Sequence, residues 1–514
     1  MKKKKGFVYR SSLLISFIIA CLLAIVNVSK AETTPQYGGV LRIIDLSEGA
    51  QPIGAPWRVR GIDLNLMRPA IESLLREDIN ANYHPWLATE WKIDKTKKTI
   101  TLSLRKGVKF HDGTDFNAEA VKWCIDRAIE NKMVKGFNSV DVIDDYTVRI
   151  NVAHYQNNLL NLLSSSYTSV VSPTAYKEMG EEKAMWHPVG TGPFKFVNYE
   201  RGNKLTYTKW EGYWGKGKPY LDGLEYIFIR DPMTQQAAMQ ARGDEKVHVL
   251  AVTSGEQAAM LKAKGFKEIT MYTGSIALIP DSNDPNSPFA NKKVRLATSY
   301  AIDREAIVKA RGFGLWSPAN QAPTPGKPGH VNESEFGRYD PEKAKQLLAE
   351  AGYPNGFQTT IYPMPGLVDR DVMVAVQQFL GEVGIKAELE FPDRGKFNEL
   401  RFKGWRNGLL AQATRMLATT NITYNFYCHT AAGQFPSMKR PDGFVDKLNA
   451  SLETLVPEKA NMEELTRILI DDVTFIPLYY ISESRILQSN VHDTGYFEWE
   501  AGTVFTPENI WMSK

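Results

Sequence analysis

The segment 105–123, RKGVKFHDGTDFNAEAVKW, sets His111 beside Asp112 and Gly113 in a chain with only eight histidines. A histidine next to a carboxylate is raw material for general-base chemistry or for a metal site. Either needs partners, a nucleophile within hydrogen-bond reach or further ligands. The chain contains no HxxH, HExxH or CxxC spacing and no GxSxG elbow. Neighbouring side chains in an extended or turning backbone also diverge. HDG are turn residues, and Asn117 suits the N-cap of a helix starting at Ala118. The segment is therefore read as a strand-to-helix turn, with no catalytic residue, metal or cofactor assigned. GTGPF at 190–194 has the look of a phosphate loop, but Pro193 and a strand follow where phosphate binding requires a helix N-terminus. GKGKP at 215–219 lacks the spacing and the Ser/Thr of a Walker sequence. Any two acids can meet in space as a glycosidase pair, so a secreted hydrolase stays as the rival reading.

The elements that must position these residues come from 514 residues, too many for one core, so two or three domains are expected. With 43% hydrophobic and 23% charged residues the composition is that of a globular protein. The net charge of +4 is concentrated at the start: residues 1–31 hold six Lys or Arg and no acid. The remainder has 56 basic and 58 acidic residues, a net of −2, which does not favour a nucleic-acid binder.

MKKKKGFVYR is a positive n-region, residues 13–26 are apolar apart from Ser16, and Ser29 and Ala31 occupy the −3 and −1 positions of a cleavage site. This is the pattern of an export signal cleaved after Ala31, and the apolar run is short of the ~20 residues of a bilayer span. IIAC offers a competing reading, a lipid-anchored Cys21, although apolar LLAIV continues past it. Beyond residue 31 only Cys124 and Cys428 remain, read as buried thiols, with a disulfide between them as the alternative.

Along the chain, YGGVLRII opens a strand. LMRPAIESLLRED reads as a helix with Leu66, Ile71, Leu74 and Leu75 inward. Ile100, Leu102 and Leu104 alternate as in a half-buried strand after a lysine-rich turn. Val121, Cys124, Ile125 and Ala128 share a helical face. From about residue 276, YDPEKAKQLLAEAGYPNG gives a helix capped by Asp340 and ended by Gly352. DVMVAVQQFLGEVGIKAELEF gives a helix, a Gly384 stop and a strand. Helices alternating with strands argue for a helix-covered α/β sheet.

Four blocks then resemble the family 5 extracellular solute-binding proteins of ABC importers, the dipeptide-, oligopeptide- and nickel-binding group. They are GGVLRI, PWLATEWKIDKTKKTITLSLRKGVKFHDGTDFNAEAVKW, PVGTGPFKFVNYERGNKLTYTKWEGYW, and NSPFANKKVRLATSYAIDREAIV with YDPEKAKQLLAEAGYPNGF. The resemblance runs from residue 38 to about 357. It implies the two-lobed α/β periplasmic-binding-protein fold of the large, cluster-C type, with an extra subdomain inserted in lobe one. Lobe one would comprise 32–77, 189–275 and 488–514, the insert 78–188, and lobe two 276–487. Hinge segments would lie near 273–280 and 482–491. It further implies a monomeric, periplasmic, non-enzymatic protein that captures a solute and delivers it to membrane permease subunits, without nucleic acid.

Two departures bear on the ligand. Peptide binders of the family carry a DYxDP-like motif whose first aspartate pairs with the peptide ammonium. Here FKGWRNGLLAQATRMLATTNITYNFY has no acid between Glu399 and Asp442. It offers Arg406 and Arg415 instead, with hydroxyls at Thr414, Thr419 and Thr420, which suits an anionic or polyhydroxyl ligand such as a sugar acid, oligosaccharide or acylated peptide. The LDP-like turn after the first strand is replaced by SEGAQPIGAPWRVRG, whose Trp57 and Arg58 are candidates to reach the cleft. Trp405, Tyr424, Tyr427 and Trp499 are further aromatic candidates, although such a residue is more often simply part of a core. Nickel is a narrower alternative, though the 15 methionines form no cluster.

Overall fold

The computed structural model describes residues 34–46, 49, 51–59, 63–332, 337–499 and 505–514. The expected leader, with Cys21 and the Ala31 cleavage point, lies outside them. One eleven-stranded sheet runs through the molecule. Its order is Ile385–Leu389, Phe357–Pro363, Gly408–Arg415, Lys267–Pro280, Ile476–Leu487, Val249–Val252, Val40–Ile44, Gly223–Ile227, Lys204–Lys209 and Phe194–Glu200. The short strand Ser317–Pro318 pairs beside Ile476–Leu487.

The two long central strands are antiparallel, from Lys267↔Leu487 to Leu278↔Ile476, with register irregularities between Tyr272/Gly274 and Ile276/Ala277. They cross from one hydrophobic body to another. On one side Leu41, Ile43, Leu224 and Val249 pack with Leu487, Val491 and Ile510. On the other, Ile276, Leu278, Ile361, Leu409 and Tyr479 form a second core, and Ile279, Leu410, Phe435 and Phe444 a third cluster beside it. The molecule is thus a two-lobed α/β protein. Gly274, on the first crossing strand, allows close approach to the neighbouring strand Gly408–Arg415: a Cβ there would lie 2.2 Å from the Thr414 carbonyl.

A separate antiparallel sheet of Ala88–Asp94, Thr99–Leu104, Thr147–Val152 and Phe137–Asp144 belongs to the first body. Its Ile100, Leu102 and Leu104 point inward under the helix Ala118–Glu130, which buries Val121, Cys124, Ile125 and Ala128. The Asn117 side chain caps that helix, accepting from the Ala120 N–H at 3.0 Å. Cys124 and Cys428 are both free and lie in different cores, where burial pushes each thiol up to about 12.

One expectation fails. LMRPAIESLLRED is not one helix: the helix spans only Leu64–Met67, and a strand Leu75–Glu77 follows. Pro69 has no N–H to continue the ladder. The following backbone bonds elsewhere instead: the Ala70 carbonyl accepts from Gly192 N–H and the Glu72 carbonyl from Val170 N–H. The apolar residues at 66, 71, 74 and 75 are buried all the same.

That packing also explains GTGPF. A Cβ at Gly190 would lie 2.1 Å from the Ala70 carbonyl, and one at Gly192 2.5 Å from that of Pro69. These glycines allow two backbones to touch. His111 is part of the same joint: its Nε2–H donates to Gly192 O at 2.9 Å and its ring lies edge-on to Trp210. Asp112 turns away, accepting from the Thr114 backbone and hydroxyl and from Ser172.

Burial holds the His111 imidazole down to about 4. His248 is also held near 4, by burial and then by Lys246 and Arg42, and its Nδ1 accepts the Arg42 N–H at 3.0 Å. Groups lowered in the folded state give stability that is present above their unfolded value near 6.5 and is lost as pH falls toward 4. Each is worth on the order of 3 kcal/mol. Urea midpoints should therefore drop between pH 7.5 and 4.5, and a His111→Gln variant, which can still donate to Gly192, should show a flatter dependence. Equal slopes for both proteins would remove His111 from the account.

Candidate functional site: the cleft at the crossing strands

The strands Val40–Ile44, Gly223–Ile227 and Val249–Val252 are mutually parallel through the first of them. Their carboxyl ends open into a cavity of about 370 Å³ lined by Asp45, Leu46, Phe228, Ile229, Gln235 and Ala251. The crevice outside such strand ends is where open α/β sheets bind ligands. In the other lobe a cavity of about 430 Å³ is lined by Ser317, Asn320, Pro325, His330, Arg338 and Tyr480. Tyr480, which lines the second cavity, meets the ring of Tyr272 across the crossing strands at 5.7 Å.

Charge concentrates at the same crossing. Arg415, the last residue of Gly408–Arg415, reaches Glu483 on the second crossing strand at 2.5 Å. Glu483 lies 3.6 Å from Arg485, two residues on and so on the same face. The side chains are 43%, 9% and 1% exposed for Arg415, Glu483 and Arg485. The buried Arg485 guanidinium faces the rings of Tyr496 and Phe497 at 5.1 and 5.5 Å. Two cations thus share one anion. The inner cation is sealed by protein, whereas the Arg415 side chain is partly open to solvent. Such a group can add an anionic partner without a new buried charge going unpaired.

The eight sequence candidates separate clearly. Arg415 sits at the crossing, and its backbone N–H donates to Tyr427 Oη at 3.3 Å. Tyr427 is otherwise buried, stacked at 16° on Phe435. Trp405 packs against the other side of the same cluster, donating from Nε1 to Gly408 O. Tyr424 is 2% exposed and shares a hydrogen bond with Thr466. Arg406 is exposed beside Asp281, whose carboxyl it helps to lower against a dominant effect of burial. Trp57 is 2% exposed, wedged between Trp123 and Tyr176, and the half-exposed Arg58 reaches Met185 and Glu181. Trp499 is half-buried, edge-on to His84 at 5.4 Å. Tyr272, Tyr480, Glu483 and Arg485 were not singled out by sequence reasoning. The available signal was the charge in ISESR, inside an otherwise apolar strand.

Among the described residues no three His, Cys, Asp or Glu converge as a metal would require, and no helix is long and apolar enough to cross a membrane.

Two α/β lobes share one sheet and are joined by two strands, with a cavity in each lobe and paired charge at the crossing. The profile of the bacterial extracellular solute-binding proteins, family 5 (middle part), matches residues 82–434, and the chain belongs to that family. It is 34% identical over 318 residues to the glutathione-binding protein GsiB of Escherichia coli O1:K1, covering 60% of this chain; the match spans 61% of that relative's length. Its fold is similar to that of HbpA2 from Haemophilus parasuis, with TM-score 0.81 at 21% identity over 92% of this chain and 100% of that one. It is also similar to DppA from Helicobacter pylori in complex with the peptide STSA, with TM-score 0.72 at 21% identity over 93% and 99%. The family, GsiB and DppA are described as binding proteins.

Proposed function

We propose that the protein is the substrate-binding component of an ABC-type importer. It captures a peptide-like or other polar organic solute between its lobes and passes it, without turnover, to membrane permease subunits. The observation that carries this reading is the crossing itself: among the described residues two strands are the sheet's only link between the lobes, and Arg415, its side chain partly open to solvent, lies at that crossing. Lobe closure would exclude water, so that few polar contacts suffice for specificity. We assign lobe one to 32–77, 189–275 and 488–514, the insert to 78–188 and lobe two to 276–487. Export to the periplasm with cleavage after Ala31 completes the reading, and the mass of the mature protein would distinguish it from lipid attachment at Cys21.

Arg415 is the proposed ligand anchor. Its partial exposure favours ligands with a carboxylate, a class that includes both glutathione-like peptides and sugar acids. The test is a thermal-shift screen of refolded, ligand-stripped protein against glutathione, dipeptides, longer peptides, sugar acids, oligosaccharides, opines and nickel. A ligand at 100 times its Kd should add about 2.7 kcal/mol. A shift by glutathione or small peptides supports the peptide-like reading. A shift confined to sugar acids moves the substrate class, and a panel without any shift counts against solute binding of this kind.

A further inference from the structure

Away from the crossing strands, lobe two meets the subdomain inserted in lobe one at two polar points among the described residues. The first is Asn157, fully buried, at the head of the helix Asn158–Ser164. An asparagine there normally accepts from the helix's own first N–H groups, but this side chain makes no capping bond. All its hydrogen bonds run to the other lobe. Nδ2 donates to Ser451 O at 2.8 Å and to Thr454 Oγ1 at 3.1 Å, and Oδ1 accepts from Asn421 Nδ2 at 3.2 Å. Its backbone N–H donates to Leu452 O at 2.7 Å. Tyr155 adds a bond from its hydroxyl to Leu455 O at 2.8 Å, and Lys95 one to Glu453 O.

The second point is Lys327, carried on the Pro/Gly-rich stretch APTPGKPGH of lobe two and only 6% exposed. Its Nζ donates to Ile79 O, at the start of the insert, at 3.2 Å. Burial lowers this ammonium to about 8, and the carboxylates of Glu77 and Asp78 act in the opposite sense.

We propose that Asn157 and Lys327 form a two-point clasp that sets how far the ligand-free protein is closed, and thereby sets ligand affinity without touching the ligand. This rests on the two-lobed binding reading. Polar groups that water can satisfy suit such a role, because opening replaces each bond by hydration. When only a fraction of the protein is binding-competent, the apparent Kd is the intrinsic one divided by that fraction. A clasp variant therefore weakens all ligands by the same factor.

The test compares the full chain with Asn157→Ala, Lys327→Met and the double variant, all stripped of ligand. Small-angle X-ray scattering reads the open fraction, thermal unfolding reads stability, and glutathione serves as the affinity probe. The clasp predicts a compact parent, an increased radius of gyration in each variant, a larger increase in the double variant, and nearly unchanged Tm. It further predicts that any measurable glutathione affinity falls at least tenfold in the double variant. Scattering identical to the parent, a Tm loss without expansion, or a parent already open without ligand would each overturn it. The scattering arm needs no ligand, so a failure of glutathione to bind counts against the substrate reading and leaves the clasp decided separately.

Discussion

An Arg415→Ala variant is expected to fold like the parent and to bind its ligand about 100-fold more weakly, the loss of one charge-assisted hydrogen bond to a ligand anion. The fold should survive because the truncated side chain is 43% exposed and its partner is not abandoned: Glu483 retains Arg485 at 3.6 Å. The expected change in stability is about 1 kcal/mol or less. Arg415→Lys should recover only part of the affinity, since an ammonium cannot reproduce the planar, two-pronged geometry of a guanidinium. Titration calorimetry with whichever compound shifts the parent in thermal unfolding decides the matter. An affinity within twofold of the parent's would take Arg415 out of the site.

Glu72→Ala should be the most destabilising single change, at about 4 kcal/mol or more, measured by urea unfolding. The buried carboxylate accepts four side-chain donors: Trp86 Nε1 at 3.0 Å, Tyr213 Oη at 3.0 Å, Trp214 Nε1 at 2.9 Å and Thr191 Oγ1 at 2.8 Å. Removing it strands the buried donors of Thr191 and Tyr213, each costing about 1–3 kcal/mol, and leaves the half-buried indoles of Trp86 and Trp214 without their acceptor. It also undoes the setting of the neighbouring Arg76, which bonds Glu508 at 2.6 Å and lies 3.4 Å over the Trp86 ring. Burial raises the Glu72 carboxyl, more than its hydrogen bonds and Arg76 lower it. A carboxyl raised in the folded state favours folding at low pH, and that contribution is lost as pH rises above its unfolded value near 4.5. Glu72→Gln should lose less than Glu72→Ala, since it keeps one acceptor oxygen. A loss below 1 kcal/mol for the alanine variant would show that water takes the carboxylate's place.

The sequence was most readable where one local rule acted alone. Asn117 and Asp340 cap helices as their positions suggest, and alternation at 100, 102 and 104 marks a half-buried strand. It misled at 64–77, where buried apolar residues at helical spacing belong to a short helix, a turn and a strand. Burial on every side leaves no polar face from which to tell 3.6 from 2, and Pro69 was the decisive clue. Aromatic candidates failed to single out the site for a related reason: Trp57, Trp405 and Tyr424 fill cores, and side-chain type does not distinguish a cleft wall from an interior. Glu483 and Arg485 were legible in principle, as charges in an apolar strand, but only the pairing with Arg415 gives them meaning. Asn157 and Lys327 were out of reach, because their partners lie 264 and 248 residues away.

The central strand Ile476–Leu487 also dictates the order in which a nascent chain can finish its parts. Strand Val249–Val252 completes its pairing only with residues 484–487, emerging more than two hundred residues later. The core of the second lobe draws on residues 276–479. Lobe two, begun later on the ribosome, can therefore be complete first. Lobe one waits with one side of Val249–Val252 uncovered, an unpaired strand edge of the kind that invites wrong partners during synthesis and secretion.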